Sequence, residues 1–193
     1  MTLPRQWEKH AHALVEQASP LHLEFFRSVE LAYGHPDDVV SGEGARSYGG
    51  RFSRPGLRAV YGSADEATAF KESAARINRL ASRSGARIVG YPRITYVIRV
   101  SAAKHVSLTT ANADAAAILP ACLDPSDLRA SQQVGDLFLA RGIQAVGYPS
   151  AIPGFAGRNL AVFRDAVPAP SIVLANRDQI IEELRRIAER MRK

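Results

Sequence analysis

Arg51, Tyr61 and Glu72 stand ten and then eleven residues apart within GARSYGGRFSRPGLRAVYGSADEATAFKES, residues 44–73. The spacing places Arg51 in a glycine-flexible entry, Tyr61 at a strand end and Glu72 on the helix that follows. Elements joined by a tight turn can share one cleft. An arginine there binds phosphate through charge-assisted, often bidentate hydrogen bonds. An aromatic ring stacks on a flat leaving base. A carboxylate holds a ribose hydroxyl and stabilises a cationic, oxocarbenium-like transition state. Cleavage of a nucleotide's N-glycosidic bond uses all three.

Other chemistries fit less well. A Walker loop needs GxxxxGK[ST], and neither its lysine nor its spacing is present. The dinucleotide fingerprint GxGxxG starts at Gly42 and Gly44 but meets Ser47 where the third glycine belongs, with a further loop and strand where a helix should begin. The five histidines (His10, His12, His22, His35, His105) are scattered, and no HExxH or second cysteine accompanies them, so no metal site is expected. No GxSxG elbow supports serine acyl transfer.

The elements that must position these residues read as one domain. The chain has 193 residues, 46% apolar and 23% charged, ordinary globular composition. Net charge is +6 and the sequence pI is about 9.8, which suits an anionic partner. Cys122 is the only cysteine, so no internal disulfide forms and a reducing compartment is expected. No signal-peptide core or membrane-length apolar run is seen, which points to a soluble, cytoplasmic protein.

Residues 4–18 read as a short helix, EFFRSVELAY (24–33) as a strand, GHPDDVVSGEGARSYGG (34–50) as turns, and RAVYGS (58–63) as a strand. Ser63 and Glu66 form a capping-box pattern for a helix carrying Ala67, Phe70, Ala74, Ile77 and Ala81 on one stripe. RITYVIRV (93–100) alternates as a half-buried strand. A helix capped by Ser131 and stopped by Gly142 follows, then strands at 143–148, 159–163 and 171–175. Residues 176–193 form an amphipathic helix with Ile180, Ile181, Leu184, Ile187, Ala188 and Met191 in register. The expected class is α/β (α+β): a single domain with a mixed or antiparallel sheet and flanking helices. Its expected divisions are an N-terminal helical extension (1–20), a catalytic unit (21–175) and a C-terminal helix (176–193).

Each candidate has a plainer role open to it. Arg51 could be a surface residue beside a turn that needs positive φ, about as readily as a phosphate ligand. Arg27, among a strand's apolar residues, calls for a cleft or an ion pair, because arginine is rarely buried alone. Tyr61 would more often be a core aromatic, and Ser150 a turn residue after Pro149. Glu72 lies opposite the Phe70–Ala74–Ile77 stripe, where a solvated pair with Arg76 is the default. Arg46, Arg54 and Arg58 flank the loop, and one of the three is expected to add to an anion site.

The segments FFR, SGEGARSYGGRFSRPGLRAVYGSADEATAFKE and QVGDLFLARGIQAVGYPSAIPGFAGRNLAVF together resemble the RES domain family, over residues 25–163. The pieces GGRF, PG, VYxS, AxxE and YPSA with a later GxN are specific in combination, though each alone is weak. The resemblance implies an ADP-ribosyltransferase-like fold. It also implies that Arg51, Tyr61 and Glu72 form the catalytic set. Arg27, Tyr48, Gly49, Gly50, Ser150 and Asn159, within the same motifs, would bind substrate.

The same resemblance implies a toxin of a bacterial toxin–antitoxin pair that breaks the nicotinamide–ribose bond of NAD+. NAD+ would be a consumed substrate, with no cofactor. Arg27 and Arg51 would hold the diphosphate, Tyr61 would stack on nicotinamide, Glu72 would bond the ribose, and Ser150 would position substrate or Glu72. The acceptor stays open among inorganic phosphate, water and a protein side chain, so mono-ADP-ribosylation of a protein is the first alternative. The implied partner is an Xre-type antitoxin that blocks the site; self-association stays open and no membrane partner is expected. A non-enzymatic nucleic-acid-binding module is the second alternative, suggested by the basic pI and tail.

Overall fold

The computed structural model describes residues 4–85 and 92–191. Its architecture grows from one long strand, β3 (Arg93–Ser107). Alternation in that strand buries Ile94, Tyr96, Ile98, Val100 and Ala102 on one side, as the sequence pattern predicts. The strand runs seven residues beyond the expected end at 100, and this extra length lets it serve several neighbours. It pairs antiparallel with β1 (Ser19–Glu30), antiparallel with β6 (Ile172–Leu174) and parallel with β4 (Ala145–Pro149).

The six-stranded order is β1-β2-β5-β4-β3-β6, where β2 is Ala59–Ser63 and β5 is Arg158–Phe163. Because β1 also pairs with β3, five of the strands close into a ring, leaving β6 as an appended strand. The β3–β4 pair is the parallel one, so the sheet is mixed and the domain is α/β.

Strand alternation gives the sheet a core on each face. On one face Val106, Val146, Tyr148, Ala161 and Phe163 meet three helices: α1 (Arg5–Glu16), α5 (Ala113–Leu123) and α6 (Arg129–Ala140). On the other, Phe25, Val60, Tyr96, Ile98, Leu160 and Val162 form a second cluster, against which Ile180 and Leu184 of α7 (Arg177–Met191) pack. The N-terminal helix is part of the first core, with Ala11 and Leu14 buried. The described apolar positions of α7, Ile180, Ile181, Leu184 and Ile187, are only half-buried, and Ala188 is exposed. No helix among the described residues is long and apolar enough to cross a membrane.

Several sequence expectations shift. Leu31–Tyr33 leave the strand for a 3-10 turn, and the 34–50 stretch contains two short helices, α2 (Pro36–Val39) and α3 (Glu43–Tyr48). The proline and glycines that suggested turns instead start and stop these helices: Pro36 sits at a first helical position, and Gly42 and Gly49 flank α3 with positive φ. Helix α5 carries Pro120 within it, which hid it in the sequence.

Helix α4 (Glu66–Ser84) is capped by Asp65, not Ser63. The Asp65 carboxylate accepts from the Thr68 N–H (2.8 Å) and hydroxyl (2.6 Å), which holds its pKa below the usual carboxylate value, while the Ser63 hydroxyl is used elsewhere. Ser131 is likewise inside α6, donating to the Leu128 carbonyl (2.9 Å). The stop at Gly142 stands, with φ +77°.

The largest change is rotational. Phe70, expected inside, is 55% exposed and Ala67 is also exposed, whereas Thr68 and Ala69 are buried and Glu72 and Ser73 half-buried, as are Ala74 and Ile77 of the expected stripe. The helix turns its Thr68–Ala69–Glu72 side to the sheet. Arg76, the expected partner of Glu72, has a side chain outside the described set.

Candidate active site

Strand register sets the site. Tyr61 and Ser63 are two residues apart on β2 and so share a face, opposite Ala161 and Asn159 of β5. Tyr148 on β4 pairs with Asn159 on its other side. Three neighbouring strands therefore bring Tyr61, Ser63, Asn159 and Tyr148 to one surface, beside the core built on α5 and α6.

The glycine–arginine loop closes one wall. Gly49 has φ +71°, and the Gly50 N–H donates to the Ser53 carbonyl (2.7 Å). A Cβ at Gly50 would lie 2.4 Å from the Tyr61 ring, so only glycine lets the loop lie across that ring. The Tyr61 hydroxyl accepts from the Phe52 N–H (3.0 Å) and shares a bond with the Ser53 hydroxyl (2.9 Å). Burial pushes the Tyr61 pKa up, opposed by these bonds and by Arg51. Gln132 of α6 donates to the Gly50 carbonyl (3.1 Å), and Gly135 of α6 passes so close that a Cβ there would be 1.9 Å from the Phe52 carbonyl oxygen.

The two expected diphosphate arginines are both half-buried and both anchored. Arg27 on β1 donates from Nη1 to the Tyr61 carbonyl (2.8 Å). Arg51 donates from Nη1 to the carbonyls of Cys122 (2.6 Å) and Asp124 (3.3 Å), at the end of α5 where a helix favours positive charge. The flanking arginines are used differently: Arg46, Arg54 and Arg58 each pair with a surface carboxylate, respectively Glu43, Asp136 and Asp165. Tyr48, at the end of α3 beside Gly49, is 80% exposed.

The second wall centres on Glu72. Its Oε1 accepts from the Ser150 hydroxyl (2.6 Å) and the Asn159 side-chain amide (2.7 Å). Both donors are 8% exposed, so the carboxylate is held by groups largely removed from water. The Ser63 hydroxyl donates to Asn159 Oδ1 (2.7 Å), completing a chain of side chains from β2 through β5 to α4. No described residue bonds Glu72 Oε2.

The loop from Ser150 to Gly157 is tied back by the Ser150 N–H to the Gly157 carbonyl (2.7 Å), with Lys71 of α4 over the Phe155 ring at 4.1 Å. Burial raises the pKa of Tyr148, assisted by Tyr61 and Glu72 and opposed by Arg51. Burial likewise lifts the Cys122 thiol to about 12, so it is a neutral core residue at neutral pH.

Arg27, Arg51, Tyr61, Glu72, Ser150 and Asn159 therefore belong to one constellation, with Gly49 and Gly50 shaping its rim. A family model for the RES domain matches residues 25–183. The chain belongs to the RES domain family. This RES domain also matches, over 90% of its length and 91% of the other chain, a chain in the crystal structure of the M. tuberculosis MbcT–MbcA toxin–antitoxin complex. The TM-score is 0.68 at 20% identity, a likeness of fold. No curated protein shows a sequence match to the chain.

Sequence reasoning missed Gln132, Ser53 and Tyr148, and gave Ser63 to a helix cap. Tyr148 had a signal, two residues before Ser150 in the YPSA motif. Gln132 had none, because it acts from a helix some eighty residues from the loop it supports.

Proposed function

We propose that this RES domain is a toxin that destroys NAD+ by breaking the bond between nicotinamide and ribose. The observation that carries the reading is the inward turn of Glu72, held by Ser150 and Asn159 with Oε2 left over. A solvated helix face would not gather two nearly buried donors onto one carboxylate oxygen.

In this reading the NAD+ diphosphate lies near Arg27 and Arg51. Each keeps one guanidinium nitrogen on a backbone carbonyl, which fixes the plane that meets the anion. Nicotinamide stacks on Tyr61, and Tyr48 covers it from the rim. Glu72 Oε2 accepts from a hydroxyl of the nicotinamide ribose. The C1′–N1 bond breaks with its electron pair going to nicotinamide, which leaves neutral. Positive charge develops on the ribose, and the fixed carboxylate stabilises it without reorganising. Water or inorganic phosphate then bonds to C1′, a water molecule losing its proton to the solvent, to give ADP-ribose or its 1″-phosphate. Toxicity follows from loss of the NAD+ pool. An antitoxin of the Xre type that covers the cleft would restrain it, in keeping with the toxin–antitoxin assembly that shares the fold.

NMR of the purified, antitoxin-free protein with NAD+, run with and without phosphate, tests this. Nicotinamide release only with phosphate identifies a phosphorylase, and release without it a hydrolase. Intact NAD+ in both, with labelled protein appearing when a lysate and labelled NAD+ are supplied, would replace this reading with protein ADP-ribosylation. Intact NAD+ in all three would overturn it.

A further inference from the structure

Asn159 is 8% exposed and carries two polar ends that both need partners. Its Nδ2 faces a carboxylate that can only accept, so the amide is oriented with Oδ1 toward β2. There the Ser63 hydroxyl, on a residue 2% exposed, donates to it. The two residues are direct partners in the β2–β5 register, which fixes their separation through the backbone. Every donor in the chain points the same way: Ser63 O–H to Asn159 Oδ1, then Asn159 N–H to Glu72 Oε1. Such a run polarises each bond in turn, and the last one meets the anionic end.

We propose that Ser63 is a positioning residue for Glu72, acting through Asn159. It sets the rotation of the amide and strengthens its bond to the carboxylate, without touching substrate. This rests on the proposed function for its kinetic consequence and on the geometry alone for its structural one. Removing the hydroxyl orphans a buried carbonyl oxygen and lets the amide turn, so the carboxylate keeps Ser150 as its one fixed partner.

The test has two arms on the full-length protein, with thermal unfolding recorded for every variant. In the first, Ser63→Ala is expected to lower kcat for nicotinamide release about 3- to 10-fold, the range of one lost hydrogen bond, with KM unchanged within about twofold. Ser63→Thr, which keeps the hydroxyl, should recover most of it. In an Asn159→Ala background, Ser63→Ala should have no further effect on kcat, because its route to Glu72 is already cut.

In the second arm, the Asn159 side-chain amide is followed by NMR hydrogen exchange, which needs no activity. Ser63→Ala should speed that exchange while leaving backbone amides of β2 and β5 protected. Unchanged kcat and unchanged Asn159 exchange in Ser63→Ala would overturn the positioning role, as would full additivity with Asn159→Ala. Wild-type protein that leaves NAD+ intact while Ser63→Ala still speeds the exchange would sink the proposed function and leave the positioning role standing.

Discussion

The two walls of the candidate site are built by different physics. The glycine–arginine wall is held by shape and by backbone groups. Gly50 leaves no room for a Cβ beside the Tyr61 ring, Gly135 abuts the Phe52 backbone, and Arg27 and Arg51 each grip main-chain carbonyls. The carboxylate wall is aligned by a run of side-chain hydrogen bonds, in the line Ser63–Asn159–Glu72–Ser150. A wall made of shape fails by moving, and it takes stability with it. A wall made of polar side chains can lose its charge or its aim while the fold stays put. Substitutions on the two sides should therefore separate activity from stability.

The largest effect is expected at Glu72→Gln. The glutamine carbonyl oxygen can still accept from Ser150 and Asn159, so the structure survives while the charge is lost. Nicotinamide release should fall about 10²- to 10³-fold, or about 3–4 kcal/mol of transition-state stabilisation. The unfolding midpoint should stay within a few degrees of wild type. A variant that keeps full activity with normal unfolding would remove Glu72 from the chemistry.

Gly135→Ala probes the other wall and should lower stability together with activity. Its Cβ would press into the Phe52 carbonyl, so the loop must leave α6 or the helix must shift. Overpacking of this kind costs about 1–3 kcal/mol. For a chain of this size the midpoint should fall by about 2–4 °C per kcal/mol. Activity should drop as well, because Arg51 rides on the same loop. An unchanged midpoint would show that the loop is not wedged as described.

The contrast between the walls also explains how much was legible beforehand. Strand β3 was plain because Ile94, Tyr96, Ile98 and Val100 obey one rule, and nothing functional competes on that face. Helix α4 was misread because its inner side carries polar residues. Thr68, Glu72 and Ser73 turn inward, so counting apolar residues selected the exposed Ala67 and Phe70 together with the half-buried Ala74 and Ile77. Functional sites are where such patterns break down. Glu72, Ser150 and Asn159 were named by family motif and Ser63 was not, but their meeting was not visible: Ser150 and Asn159 lie 78 and 87 residues beyond Glu72 and arrive only through the β4–β5 pairing. Gly50 needs Tyr61 across the turn before its lack of a side chain has any meaning.

Tyr61→Phe sharpens the comparison within the loop wall. The ring stays, and with it the surface proposed to meet nicotinamide. The hydroxyl goes, leaving the Phe52 N–H and the Ser53 hydroxyl without their partner. Leaving a buried donor unsatisfied costs about 1–3 kcal/mol, so equilibrium urea unfolding should show a loss of that size. Activity should fall by less than in Glu72→Gln. If instead kcat collapses while stability is unchanged, the hydroxyl is doing chemistry, and the loop wall is not merely a matter of shape.

The smallest effect is expected at Gly44→Ala, and its sign is opposite. Gly44 lies only six residues before Gly50 in the same glycine-rich stretch, yet it sits within helix α3 with open space where a Cβ would go. It is not among the glycines with positive φ. Alanine there meets no neighbour and removes backbone freedom from the unfolded chain, which favours folding by about 0.4–1 kcal/mol. Urea unfolding should show a higher midpoint with an unchanged slope, and nicotinamide release should match wild type. Glycine enrichment in this segment would then divide into two causes, steric necessity at Gly50 and simple tolerance at Gly44. A destabilised Gly44→Ala would mean that α3 itself must flex, and the loop wall would be defined by mobility as well as by fit.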